Sequence, residues 1–336
     1  MKRMENVISI IVALIASCAF GDDEAEFIKA LNVGADAKMV LRIVNAEGVP
    51  VPDAEVEFGF WNNYFQGGFK NTILHSDENG ECVVSGRCNS SCVWNVTKRG
   101  YYRSHAEWSL SDTHAVPKVV DGKWQPYGET KEIVLNQIVS PVDLTSLEYT
   151  IIKCPVFDEW LGFDFGCHSW VKPYGDGLHS DVLIRLHEEG SGDVAFSASL
   201  ELCFTNNPFA GAYVLRKDAD SEMKSVYHAD TNAQYATLFR YSLSVDREGR
   251  RHANELSENE YLVFRTRTAV DKDGKLISAH YGKIYGKWGF YGGMRAEAIF
   301  FNPKPNDTNL EDAKTAKRSL QRQGEQEGLQ YKMKRE

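Results

Sequence analysis

Val194-Ala195-Phe196-Ser197-Ala198-Ser199-Leu200-Glu201-Leu202-Cys203-Phe204-Thr205 alternates without a break. Val194, Phe196, Ala198, Leu200, Leu202 and Phe204 share one face, and Ala195, Ser197, Ser199, Glu201, Cys203 and Thr205 share the other. Side chains along a strand point alternately up and down, so a period of two specifies a half-buried β-strand. Phe239, Tyr241, Leu243 and Val245 alternate with Arg240, Ser242 and Ser244 in the same way. Tyr261 to Val270, the turn Asp271-Lys272-Asp273-Gly274 and Leu276 to Tyr285 read as a hairpin. That acidic turn lacks the ligand spacing and later bidentate Glu of an EF-hand, so it reads as a turn and not a calcium site.

Toward the N-terminus the strands are shorter. Lys38-Met39-Val40-Leu41-Arg42-Ile43-Val44 is a strand, Asn45-Ala46-Glu47-Gly48 turns the chain, and Val49-Pro50-Val51-Pro52 marks an edge or crossover because proline cannot donate to a ladder. Ala54-Glu55-Val56-Glu57-Phe58 resumes the alternation. No helix of any length competes between Lys38 and Ile138. The expected fold is all-β, two β-sandwich domains in tandem after a signal peptide, with boundaries at 1–19, 36–140 and 141–311 and a polar tail, helical or disordered, over 312–336.

Three segments in order carry a resemblance. Val44-Asn45-Ala46-Glu47-Gly48-Val49-Pro50-Val51-Pro52-Asp53-Ala54-Glu55-Val56, then Ser76-Asp77-Glu78-Asn79-Gly80-Glu81-Cys82-Val83-Val84, then Lys98-Arg99-Gly100-Tyr101, together resemble the carboxypeptidase regulatory-like domain. The resemblance implies a non-catalytic spacer or binding module. In physical terms Ala54 is small where strands crowd, and Asn79-Gly80 supplies the positive φ of a hairpin turn. The stretches Trp170 to Gly177, Tyr281 to Gly286 and Phe300 to Leu310 resemble a group of exported bacterial proteins of unknown function, a likeness that carries no activity with it.

The chain has 336 residues, 43% hydrophobic and 25% charged, with a net charge of −9. This composition suits two globular cores and argues against a broad grip on nucleic acid or anionic membrane. Lys2 and Arg3, the apolar run Val7 to Ala16 and the small residues after it have the order of a secretory signal, and the run is too short to span a bilayer. Ser17-Cys18-Ala19 offers a small-x-small cleavage site, while Ile15-Ala16-Ser17-Cys18 resembles a lipobox that would acylate Cys18. The expected location is exported, whether periplasmic, anchored to the outer membrane or secreted, with membrane contact through a signal peptide or lipid anchor alone.

Six cysteines remain after processing: Cys82, Cys88, Cys92, Cys154, Cys167 and Cys203. In an oxidising compartment an even set predicts disulfides, with three cysteines in each half. A zinc site wants paired spacings, and Cys88–Cys92 has no matching second pair.

Gly162 to Asp181 is the densest chemistry. Asp164, His168, Asp176, His179 and Asp181 would form a metal or acid-base site if loops bring them together, or an ordinary polar loop if not. HExxH and GxSxG are absent. Trp61, Trp170, Tyr174, Trp288 and Tyr291 sit near glycines and loops that display aromatics to a ligand or fold them over a core. The expectation is a non-enzymatic binding or structural protein with no cofactor, whose ligand is an extracellular or envelope glycan or protein. The alternative is a hydrolase or metal-dependent enzyme with its site in 164–181.

Overall fold

The computed structural model describes residues 22–62, 68–191, 195–204, 208–218, 220–286, 289 and 293–333. The expected leader with Cys18, and Trp288 and Tyr291, lie outside the described residues. The fold is mostly β with several antiparallel sheets, as the alternation predicts. Among the described residues no helix is long and apolar enough to cross a membrane.

The chain divides into two compact units. One takes the chain as far as Ile138 with Asp220–Glu222 and the residues from Ser319, and the other takes Val139–Ala219 and Met223–Arg318.

The first unit opens with α1 (Asp22–Val33), whose Ala30 is buried and whose Phe27 and Leu31 pack on the core. One sheet is built on β1 (Ala35–Asn45), antiparallel to β4 (Glu81–Cys88) and parallel to β9 (Glu129–Leu135), with β7 (Val119–Val120) and β8 (Lys123–Trp124) at its side. The other has the order β3 (Phe69–His75), β2 (Glu55–Trp61), β5 (Ser91–Thr97), β6 (Ser104–Ser109). Met39, Leu41 and Ile43 from the first sheet meet Val56, Phe58, Trp94 and Val96 from the second in one core. Trp124 is buried there and donates its Nε1–H to the Cys88 carbonyl (2.8 Å).

The turn predicted at Asn79-Gly80 forms with the expected positive φ, but it carries the chain from β3 in one sheet to β4 in the other and does not close a hairpin. Asp77 Oδ1 accepts from the amides of Asn79 and Glu81, and Gly80 sits at φ +74°. A Cβ on Gly80 would stand 2.3 Å from the Ile43 carbonyl oxygen, so both backbone conformation and space demand glycine.

In the second unit a six-stranded sheet runs β13 (Ser169–Trp170), β12 (Leu161–Asp164), β14 (Val182–Ser191), β15 (Ala195–Cys203), β17 (Leu238–Val245), β18 (Arg251–Asn254). A five-stranded sheet runs β10 (Thr145–Glu148), β22 (Ala298–Phe301), β20 (Leu276–Tyr285), β19 (Glu260–Val270), β16 (Gly211–Arg216). A two-stranded ribbon pairs β11 (Ile151–Ile152) with β21 (Met294–Arg295). Ala198, Leu200, Leu202 and Phe204 are buried as the quoted alternation requires, against Leu262, Phe264, Ile284, Ile299 and Phe301. The five-stranded sheet is covered on its other face too, where Tyr261, Val263, Tyr281, Tyr285 and Phe300 form a second core with Leu144, Ala229 and Leu310.

The expectation of disulfides is corrected. Among the described residues no disulfide forms, although Cys82, Cys88, Cys92, Cys154, Cys167 and Cys203 were all candidates. The Cys88 thiol donates to the Ser91 carbonyl (3.0 Å), Cys154 to that of Val156 (2.9 Å), and Cys92 Sγ lies 3.8 Å from Met39 Sδ. Burial pushes the Cys82 and Cys88 thiols up to about 11, which keeps them protonated and inert in their cores. The polar tail forms α2 (Ala313–Met333), begun by Asp312 Oδ2 accepting from the Thr315 amide (2.8 Å), and Ala316, Ser319 and Gln323 are buried. The helix finds polar anchors in place of an apolar stripe: Ser319 and Arg322 bond Glu222, and Gln323 donates to the Tyr101 carbonyl (2.9 Å).

Replacing Gly80 by Ala is expected to cost about 2 kcal/mol or more, from the left-handed backbone alone before the clash with Ile43 is added. Urea unfolding of the two chains measures it, and an unchanged midpoint would refute the turn geometry.

Candidate functional site

The segment 164–181 is organised by one carboxylate. Asp164 ends β12, and the chain doubles back at once so that β13 pairs with it through Phe163–Trp170 and Asp164–Ser169. Asp164 Oδ1 accepts from the amides of Gly166 (2.8 Å) and Cys167 (3.3 Å), and Oδ2 from those of Leu178 (2.9 Å) and His179 (3.0 Å). A short side chain that accepts from local amides is a common means of fixing a turn. Here it holds both ends of a long loop.

Asp164 and Asp181 are 3% and 1% exposed, and both reach Arg267 on β19 of the other sheet. Arg267 Nη2 donates to Asp164 Oδ1 (2.7 Å) and Asp181 Oδ2 (2.8 Å), and Nε donates to Asp181 Oδ1 (2.8 Å). Asp181 also accepts from the Phe165 amide (2.8 Å) and the Thr266 hydroxyl (3.2 Å). Burial pushes the Asp164 carboxyl up, but the amides of His179, Leu178 and Gly166 and the Arg267 charge outweigh it and hold it below the usual carboxylate range.

Thr266 and Arg267 are neighbours, and in a regular strand they would point to opposite faces. The ladder slips between Thr266 and Ala269, and Arg267 takes φ +48°, so both side chains turn to Asp181. A β-bulge re-aims a side chain in this way. Sequence reading missed Arg267 because Tyr261 to Val270 looks like an uninterrupted strand. A bulge leaves no mark in a pattern of alternating residue types.

The remaining candidates do not join this cluster as ligands. His168 sits at φ +54° beside Asp164 and Lys314. Burial lowers its pKa against the pull of Asp164, and its Nε2 is buried without a hydrogen-bond partner. Asp176 and His179 have exposed side chains. Among the described residues no three His, Cys, Asp or Glu side chains are grouped to hold a metal. Cys167 is exposed, and partial burial together with the Asp164 charge raises its pKa, the opposite of an activated nucleophile.

The aromatic candidates separate. Trp170 is a core residue, 8% exposed, with its ring edge-on to Phe163 and its Nε1–H bonded to the Lys153 carbonyl (2.9 Å), so it is not displayed to a ligand. Trp61 is half-buried and packs edge-on against Phe69. Tyr174 is 42% exposed. Trp160, which the sequence did not single out, is exposed and lies 4.6 Å from the Arg185 guanidinium.

A second titratable cluster lies on the outer core of the five-stranded sheet. Lys283 of β20 is 2% exposed, and its Nζ donates to the Ser225 hydroxyl (2.8 Å) between the rings of Tyr285 and Phe300. Burial drives its pKa down to about 7, opposed by the charges of Asp312 and Glu311. Alternation would have put a lysine in solvent here. The sheet has no solvent face.

Arg267→Met is expected to lower the unfolding free energy by about 3–5 kcal/mol in urea titration, because two carboxylates stay buried without their cation. The depressed Asp164 carboxyl adds stability that is present above the ordinary carboxylate pKa of about 4 and is lost as pH falls through its lower folded value. Acid titration of Asp164→Asn should lack that loss. For Lys283 the slope has the same sign in a higher window: between pH 7 and about 10.4 the unfolded chain holds a proton that the folded chain does not, so stability climbs with pH there, and below pH 7 the buried amine destabilises the fold. Lys283→Met should flatten the climb and raise stability at pH 7, and an unaltered slope would show the amine to be charged.

No family model matches the chain, the carboxypeptidase regulatory-like one included, and no curated protein matches it. Solved structures give distant likenesses. The 3-chlorocatechol 1,2-dioxygenase of Rhodococcus opacus 1CP matches at 12% identity and TM-score 0.24, over 31% of this chain and 60% of that one. The catechol 1,2-dioxygenase of Acinetobacter sp. ADP1 matches at 15% identity and TM-score 0.24, over 32% of this chain and 54% of that one. The chain thus spans 54–60% of the length of these dioxygenases. The shaft pilin SpaA of Lactobacillus rhamnosus GG matches at 11% identity and TM-score 0.23, over 82% of this chain and 96% of that one. None of these assigns a family.

Proposed function

We propose that this chain is an exported, non-catalytic protein of the envelope or extracellular space, and that its second sandwich binds glycan or protein. The observation that supports this reading is the saturation of Asp164 and Asp181. A carboxylate has about four lone-pair positions, and Asp164 accepts five hydrogen bonds while Asp181 accepts four. Neither keeps an oxygen for a metal ion or for proton transfer to a substrate. Their chemistry is spent on holding two sheets together.

The rival reading, a hydrolase or metal-dependent enzyme in 164–181, has one observation in its favour, the buried and unpartnered Nε2 of His168. A glycan array probed with the full chain, run beside a zinc titration, separates the two. Discrete glycan signals and no saturable zinc uptake are expected. Uniform background on the array would remove glycans as the ligand, and stoichiometric zinc binding abolished by His168→Ala would put the metal-dependent reading in front.

A further inference from the structure

The Arg267 clasp opens on one side into a cavity of about 680 Å³, lined by Asp181, Arg267, Thr268 and His280 with His179 and the exposed Leu178. That volume lies in the range of small-ligand sites. Two of its polar groups have unused capacity. Arg267 directs Nε and Nη2 at the two carboxylates, while among the described residues Nη1 donates to no protein atom and is not sealed from solvent. His280 Nδ1 lies 3.2 Å from the Asn302 carbonyl oxygen, which can only accept, so the neutral ring carries its proton on Nδ1. Its Nε2 is then a bare acceptor, and it too is neither bonded nor sealed.

Both groups are held by the same ring. Phe301 is 1% exposed; the Arg267 guanidinium lies 4.5 Å from its centroid, and the His280 imidazole stacks on it at 5.4 Å and 12°. Both side chains line the cavity and are already held in place, so a donor and an acceptor are available there without having to be ordered by a ligand.

Charge narrows the ligand. Asp164 and Asp181 together exceed Arg267 by one negative charge, so the site has no surplus cation to attract an anion. Burial and the nearby Arg267 favour the neutral His280 ring, with the Asn302 carbonyl and Asp181 opposing them and His179 adding to the lowering. A hydroxyl group fits what remains, since it accepts from Arg267 Nη1 and donates to His280 Nε2. Leu178 and Leu183 supply apolar surface for C–H groups. Resting on the glycan reading above, we infer that this cavity binds a neutral saccharide unit through adjacent hydroxyls, with Arg267 as donor and His280 as acceptor.

The test titrates the full chain with neutral gluco-, xylo- and manno-oligosaccharides at pH 7.5, followed by ligand-observed NMR, in the wild type and in His280→Phe. The phenyl ring keeps the stack on Phe301 and removes the acceptor. At least tenfold weaker binding is expected, in a chain that still melts cooperatively but somewhat earlier because the Asn302 carbonyl loses its donor. In the wild type, binding should also fall once the pH is taken low enough to protonate His280, below the usual imidazole range, because Nε2 then becomes a donor; this arm needs no variant to fold. Binding that is equal in His280→Phe and flat with pH would overturn this site and leave the glycan reading standing. If no oligosaccharide binds at millimolar concentration, the site and the glycan reading fall together.

Discussion

Arg267 carries the second unit's most demanding contact. Two carboxylates that are almost wholly out of water, one at the end of β12 and one just before β14, share a single guanidinium from the facing sheet. Desolvating three charges is costly, and the cost is met because nearly every lone pair and most N–H groups are satisfied. The same bonds set the course of the loop between the two aspartates, since its amides donate to Asp164. The position of the sheets, the shape of the loop and the floor of the cavity thus have a common origin.

The five-stranded sheet carries a different burden. Both of its faces are covered, so polar residues along β19 and β20 must find partners inside the protein. Arg265 donates to the carbonyls of Phe209 and Thr231 and lies against the Tyr235 ring. Lys283 has a hydroxyl and two aromatic faces. Lys217 and Lys224 share Glu297, which burial pushes up but these ammonium groups hold below its ordinary range. The polar network on this face binds irregular chain to the sheet where a second sandwich layer would otherwise lie.

Most of the architecture was legible from alternation. Leu200, Leu202 and Phe204 are buried as their spacing demands, and the turns at Gly80 and Gly274 form with positive φ where glycine was read as required. What escaped was whatever depends on a strand's second neighbour. Lys283 follows the alternating pattern of a solvent-facing residue, and nothing local reveals that residues 223–236 and 302–312 cover it. Asp164 and Asp181 were legible as unusual, but their use was not, because the residue that consumes them lies more than eighty positions away. The cysteines misled for a related reason: an even count says how many sulfurs exist and nothing about which way each thiol points.

The bulge at Arg267 has a bearing on how this strand tolerates change in length. Residues before it, such as Leu262 and Phe264, and residues after it keep opposite parity with respect to the sheet's two sides, and the extra residue absorbs the difference. A deletion at 267 would therefore take out the bulge and leave the residues on either side of it facing as before and opposite the same partners, at the cost of the side chain that reaches Asp181. A deletion between Leu262 and Phe264 has no such slack and would exchange inside for outside along the residues beyond it, so within one strand the same loss of length carries two different consequences.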